Sequence, residues 1–151
     1  MKTVRILGIG SPAGDDQAGW LVVDELRARG LADGAGVSID KLDRPGAGLV
    51  ALLDKVEYAI LVDAMRRGDT PGTIHVFSPF DGGVPEADLS SHGFGVLAAL
   101  ALAQALGSLP SRVEIIGIEV ASTEPGAAVA PAVRAAARDV AHRISAALGD
   151  G

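Results

Sequence analysis

The chain has 151 residues, 48% hydrophobic and 21% charged, which suits one globular domain spanning residues 1–151 around a sizeable core. Thirteen basic against nineteen acidic residues give a formal net charge of −6, and aromatics make up 3%, so the basic footprint and stacking platform of a nucleic-acid binder are missing and no nucleic-acid partner is expected. The absence of cysteine excludes disulfides, thiol nucleophiles, thiolate metal sites and iron–sulfur clusters held by this chain.

Val4 to Gly10 is a nearly continuous apolar run, the pattern of a strand buried on both faces of a parallel sheet. It takes the place of a secretory leader, so the expected location is the cytoplasm. After the turn Ser11-Pro12-Ala13-Gly14, the pair Asp15-Asp16 offers an N-cap and a first-turn acid, and Ala18, Leu21, Val22, Glu25 and Leu26 continue at helical spacing to a stop at Gly30. Val37 to Leu42 alternates with period two as a second strand, and Pro45-Gly46-Ala47-Gly48 breaks the chain before a short apolar helix, Leu49 to Val56. Tyr58 to Ala64 predicts a central strand with Asp63 at its carboxyl end. Beyond the turn Thr70-Pro71-Gly72, Thr73 to Phe77 is a fourth strand, close enough in sequence to pair antiparallel with its predecessor. Ser90-Ser91-His92 leads into an uncharged helix, Phe94 to Leu106. Gly93, Gly95, Gln104, Gly107 and Pro110 interrupt the surrounding charge-free stretch, leaving it short of the roughly 20 apolar residues of a membrane span, so no membrane partner is expected. Val113 to Val120 is a fifth strand, and Pro131 opens a last helix whose Arg134, Arg138, Asp139 and Arg143 mark a solvated face. This alternation predicts an α/β fold: a three-layer α/β/α domain on a five-stranded, mainly parallel twisted sheet with one antiparallel strand.

In such sheets ligands bind beyond the carboxyl ends of the strands, where strand order reverses. The chain places Ser11 to Asp16 after the first strand, Asp43 to Gly48 after the second, Asp63 at the end of the third and His92 before the third helix. Asp16, Asp63 and His92 thus offer two carboxylates and an imidazole from separate loops, a donor set suited to Ni, Zn, Mn or Fe. Asp63 lies inside Ile-Leu-Val-Asp-Ala, where a carboxylate is costly unless paired, hydrogen-bonded or metal-bound. Asp15 reads as a cap, and His75 and His142 as structural or surface residues. Gly8 to Ala13 formally satisfies the G-x-G-x-x-G/A fingerprint, so a nucleotide-binding α/β enzyme is one alternative; Pro12 removes a donor, however, and Asp15 and Asp16 place carboxylates where a pyrophosphate would sit. A non-catalytic metal- or partner-binding module is another. No G-x-S-x-G elbow accompanies Ser90 or Ser91, which argues against a serine hydrolase.

Gly8-Ile9-Gly10-Ser11 with Gly14-Asp15-Asp16 and Gly19, Leu61-Val62-Asp63-Ala64 followed by Pro71-Gly72-Thr73, Ser90-Ser91-His92 and Ile116-Gly117-Ile118-Glu119 together resemble the hydrogenase maturation proteases over nearly the whole chain. The resemblance implies an endopeptidase that removes the C-terminal extension of a nickel–iron hydrogenase large-subunit precursor once nickel has been inserted. It implies that Asp16, Asp63 and His92 bind Ni²⁺ presented by that substrate, with Cd²⁺ or Zn²⁺ as surrogates. Asp16 and Asp63 are then the catalytic residues. The metal would polarise the scissile carbonyl or activate a water, or would only hold the precursor while one carboxylate acts as general base. A monomer is expected. Departures from the family pattern are Ser11 in place of Asn, Gln17 in place of Gly, and Val120 where proline is common. Asp43-Arg44-Pro45-Gly46-Ala47-Gly48 also replaces an Asp-Gly-Gly-Thr-like loop, which makes Asp43, Arg44 and Gly46 the expected substrate-binding and specificity residues.

Overall fold

A computed structural model describes residues 3–11, 14–31, 34, 36–43, 48–79, 96–121 and 127–149. The elements are β1 (Val4–Gly10), α1 (Ala18–Ala28), β2 (Val37–Asp43), α2 (Gly48–Leu53), β3 (Tyr58–Met65), β4 (Ile74–Phe77), α3 (Val96–Ala105), β5 (Arg112–Glu119) and α4 (Pro131–Gly149). A single 3-10 turn, Gly14–Gln17, leads from β1 into α1. The helix expected to reach Val56 stops at Leu53, two residues before Lys55 takes a left-handed conformation with φ 61° that a right-handed helix does not accommodate.

The strands lie in the order β2-β1-β3-β5-β4, with β2, β1, β3 and β5 parallel and β4 antiparallel to β5. The expected antiparallel strand is therefore present, but its partner is not its predecessor. β5 inserts between β3 and β4, and Val76 stands opposite Ile116. Burial explains the arrangement: every residue of β3 is buried, so β3 needs a neighbour on both sides, and the apolar β5 supplies the second. The less apolar β4, with Val76 52% exposed, suits the edge.

Alternation along the strands divides the core into two halves. Ile6, Ile60, Val62, Ile116 and Ile118 pack against α1 and α4, whereas Leu7, Ile9, Leu61, Met65 and Ile115 pack against α2 and α3. The result is the expected three-layer α/β/α arrangement. On α4, Val133, Ala137, Val140 and Ile144 are buried while Arg134, Arg138 and Arg143 are exposed, the two faces that the sequence pattern separates.

One helix approaches the sheet unusually closely. A Cβ on Gly19 of α1 would lie 2.4 Å from the Ile9 carbonyl oxygen and 2.5 Å from that of Val62, so the start of α1 rests directly on the backbones of β1 and β3. Gly8 completes the contact from the strand side, where a Cβ would meet the Gly19 carbonyl oxygen at 2.3 Å. Gly8 and Gly19 thus serve helix–strand packing.

Candidate active site

From β1 the chain crosses to β2 on one side and then returns to β3 on the other, so strand order reverses between β1 and β3. A crevice beyond the carboxyl ends of these two strands is where an open α/β sheet binds its ligand. Because Gly19 sits over both Ile9 and Val62, the turn just before it and the residue just after Val62 lie near the carboxyl ends of β1 and β3. Those positions hold Asp16 and Asp63.

The Asp16 turn is closed from within. The Ser11 backbone N–H donates to the Asp16 carbonyl oxygen at 3.2 Å, and the Ser11 hydroxyl donates to Asp16 Oδ2 at 3.1 Å. A Cβ on Gly10 would lie 2.5 Å from the same Asp16 carbonyl, which presses the turn onto the end of β1. Ser11 therefore orients the Asp16 carboxylate through its hydroxyl. The Ser11 N–H is also engaged within the turn, which removes another donor that a nucleotide phosphate would need.

Asp15 has a different role from its neighbour and from the cap expected of it. It is only 1% exposed, its Oδ2 accepts from the Ala121 N–H at 2.7 Å, and its Oδ1 accepts from the Ala130 N–H at 2.8 Å. The N-cap position of α1 is Gln17, which makes no side-chain cap and instead donates from Nε2 to the Gly14 carbonyl at 3.2 Å. Two charge-assisted bonds to distant backbone outweigh one local cap, so Asp15 ties the chain beyond β5 to the turn carrying Asp16.

Asp63 is 1% exposed and accepts from the Ala64 N–H through Oδ1 at 2.8 Å. It lies on the face of β3 that carries Leu61 and Met65, the α2 and α3 side of the sheet. Asp43, exposed at the end of β2, stands opposite Gly10 one strand away. His92, Arg44 and Gly46 lie outside the described residues. Asp16 thus follows the carboxyl end of β1, Asp63 lies near that of the neighbouring strand β3, and Asp43 ends β2.

Two features escape the sequence pattern. Trp20 donates from Nε1 to the Leu42 carbonyl at 3.0 Å, and its indole lies against Gly10, so the sole tryptophan fixes the end of β2 beside β1. His75, assigned a structural or surface role above, directs Nε2 toward Asp69 Oδ2 at 3.1 Å and Glu119 Oε1 at 3.7 Å. The signal for this second cluster is the β4–β5 pairing, which sets His75 opposite Gly117, two residues before Glu119.

Tyr58, at the start of β3, has a raised pKa. Burial, then the hydrogen bond its phenol donates to Glu114, pushes its pKa up to about 12, against the opposing charge of Arg112 stacked 4.4 Å over the ring. Tyr58 starts β3, at the end of the strand opposite the crevice.

Residues 43–147 match the family model for the hydrogenase maturation protease HycI. The chain belongs to the hydrogenase maturation protease family. It is 32% identical over 137 residues to the hydrogenase expression/formation protein HupD of Rhodobacter capsulatus, an alignment covering 87% of this chain and 64% of that protein, so the chain spans less than two thirds of that relative's length. The hydrogenase maturating endopeptidase HybD from E. coli superposes with a TM-score of 0.83 at 24% identity, covering 99% of this chain and 93% of that one. The [NiFe] hydrogenase maturation protease HycI from Thermococcus kodakarensis superposes with a TM-score of 0.75 at 23% identity, covering 96% and 91% of the two chains. These superpositions establish the shared fold. The matched family segment takes in Asp43, Asp63 and His92, while Asp16 precedes it and falls within the span of the fold likeness to HybD.

Proposed function

We propose that this chain is an endopeptidase that removes the C-terminal extension of a nickel–iron hydrogenase large-subunit precursor after nickel insertion. The observation that carries this reading is the placement of Asp16 and Asp63 on either side of the β1/β3 reversal, in a chain of the hydrogenase maturation protease family. Nickel enters as cargo of the substrate. Two carboxylates, completed by the imidazole of His92, form a donor set suited to a divalent first-row ion with positions left open for the precursor's own ligands, and Cd²⁺ or Zn²⁺ can stand in for it.

Each residue then has a defined task. The Ser11 hydroxyl fixes the rotamer of Asp16, and the Ala64 N–H holds that of Asp63. One of the two carboxylates takes a proton from the water that attacks the scissile carbonyl. As the C–N bond breaks, that proton passes to the departing amine, so the carboxylate is regenerated. Asp43, Arg44 and Gly46 contact the precursor from the end of β2 and select among precursors. The chain acts as a monomer in the cytoplasm.

Intact-mass spectrometry of a nickel-loaded large-subunit precursor incubated with the purified chain tests this reading. Loss of a single C-terminal peptide from the nickel-loaded precursor, and not from the nickel-free one, is the expected outcome. Nickel-dependent binding without any mass change would instead make the chain a non-catalytic module.

A further inference from the structure

The second cluster lies at the β4–β5 edge, away from the β1/β3 crevice. Asp63 pairs with Gly117 and Gly117 with His75, so two strand spacings, about 10 Å, separate His75 from Asp63 along the sheet. Glu119 ends β5 and its side chain is 3% exposed; Asp69 lies on the β3–β4 connection and is half exposed; His75 is 19% exposed. One ligand atom from each lies within 4.8 Å of the other two.

The surroundings of this cluster are held in place. Both Glu119 carboxylate oxygens accept from the Arg67 N–H at 3.1 Å. The Gly72 N–H donates to the Glu119 carbonyl at 2.8 Å, and the Glu119 N–H donates to the Thr73 carbonyl at 2.9 Å. The β3–β4 connection is therefore fastened to the end of β5 on both sides of Glu119, with Asp69 and His75 carried on the fastened segment.

Nε2 of His75 is buried and makes no hydrogen bond, although two carboxylate oxygens face it. A bare imidazole lone pair facing two carboxylates is repulsive, so a cation belongs between them. A proton on Nε2 would make an ion pair with Asp69 but no hydrogen bond. A metal ion fits better: ligand atoms about 2.0–2.2 Å from a tetrahedral ion stand roughly 3.3–3.6 Å apart. The separations of 3.1 Å and 3.7 Å from Nε2 bracket that range.

We propose that Asp69, His75 and Glu119 form a second divalent-cation site that takes a first-row transition ion of the zinc type. Water completes its coordination on the exposed Asp69 side. The ion clamps the edge strand β4 and the β3–β4 connection to β5. It takes no part in cleavage.

Zinc alone, titrated calorimetrically into the full chain carrying Asp63→Asn and His92→Ala, isolates this site from the crevice. The expected result is one equivalent of bound zinc, with affinity at least about tenfold weaker when His75→Ala or Glu119→Gln is added. Imidazole ¹⁵N spectra of the same zinc-loaded chain need no change at His75, so they decide the question even if the His75→Ala chain fails to fold. A shifted His75 Nε2 resonance beside an unmoved His142 supports the site. Absence of saturable zinc binding, or binding that leaves the His75 resonance in place, overturns it.

Discussion

Acids gather at two places along the carboxyl ends of this sheet, and the two groups differ in what surrounds them. At the reversal between β1 and β3, Asp16 accepts from the Ser11 hydroxyl and Asp63 accepts from the Ala64 N–H. At the β4–β5 edge, Glu119 accepts two bonds from Arg67 and is tied through its own backbone to the β3–β4 connection, with His75 and Asp69 packed over it. Similar donor atoms thus stand at the chain crossover and at a fastened sheet edge. The first is the proposed substrate site and the second the proposed structural one. Chain crossover, rather than the acids themselves, distinguishes the two.

Exchanging one acid in each region tests this contrast most strongly. Asp63→Asn is expected to lower precursor cleavage at least about 100-fold, the scale of a lost general base, with the far-ultraviolet spectrum unchanged. Glu119→Gln in the same assay is expected to stay within about twofold, since the amide oxygen still accepts from Arg67. Equal losses in the two variants would erase the distinction between the regions.

The adjacent acids of the 3-10 turn extend the contrast to stability. Asp15→Ala leaves the Ala121 and Ala130 N–H groups without their acceptor and is expected to cost about 2–4 kcal/mol in urea unfolding. Asp16→Ala removes the acceptor of the Ser11 hydroxyl and is expected to cost about 1 kcal/mol while abolishing cleavage. A reversed order would show that Asp16 holds the fold and Asp15 the substrate.

The smallest effect lies at the opposite end of β3. Tyr58 is the only tyrosine, so phenolate absorbance after a rapid pH jump reports it alone. Its midpoint is expected at about 12 in the folded chain and about 10 in denaturant. Because the folded pKa is the higher one, the fold favours the neutral phenol. The stability this contributes is complete below about pH 10 and is lost as pH rises through 12. Glu114→Gln is expected to bring the folded midpoint down while leaving cleavage unchanged.

The fold was legible where local pattern and burial agree. β1, β3 and β5 are predominantly apolar runs, and α1 and α4 carry clear helical periodicity. The neighbour of β4 was not legible, because proximity in sequence favours β3 whereas β3 is covered by β5 on that side. Asp16 and Asp63 stood out as acids at strand ends. The task of Asp15 did not, since its backbone partners lie 106 and 115 residues away. The cluster at His75 depends on antiparallel register and on a carboxylate from another strand, neither of which appears in the segment around His75 itself.

Anomalous diffraction from crystals soaked in Cd²⁺ locates the bound ion against named side chains. A peak at the carboxyl ends of β1 and β3, bracketed by Asp16 and Asp63 and completed by His92, is the expected result. Asp16 and Asp63 carboxylates too far apart to share an ion, or cadmium only at Asp69, His75 and Glu119, would contradict it.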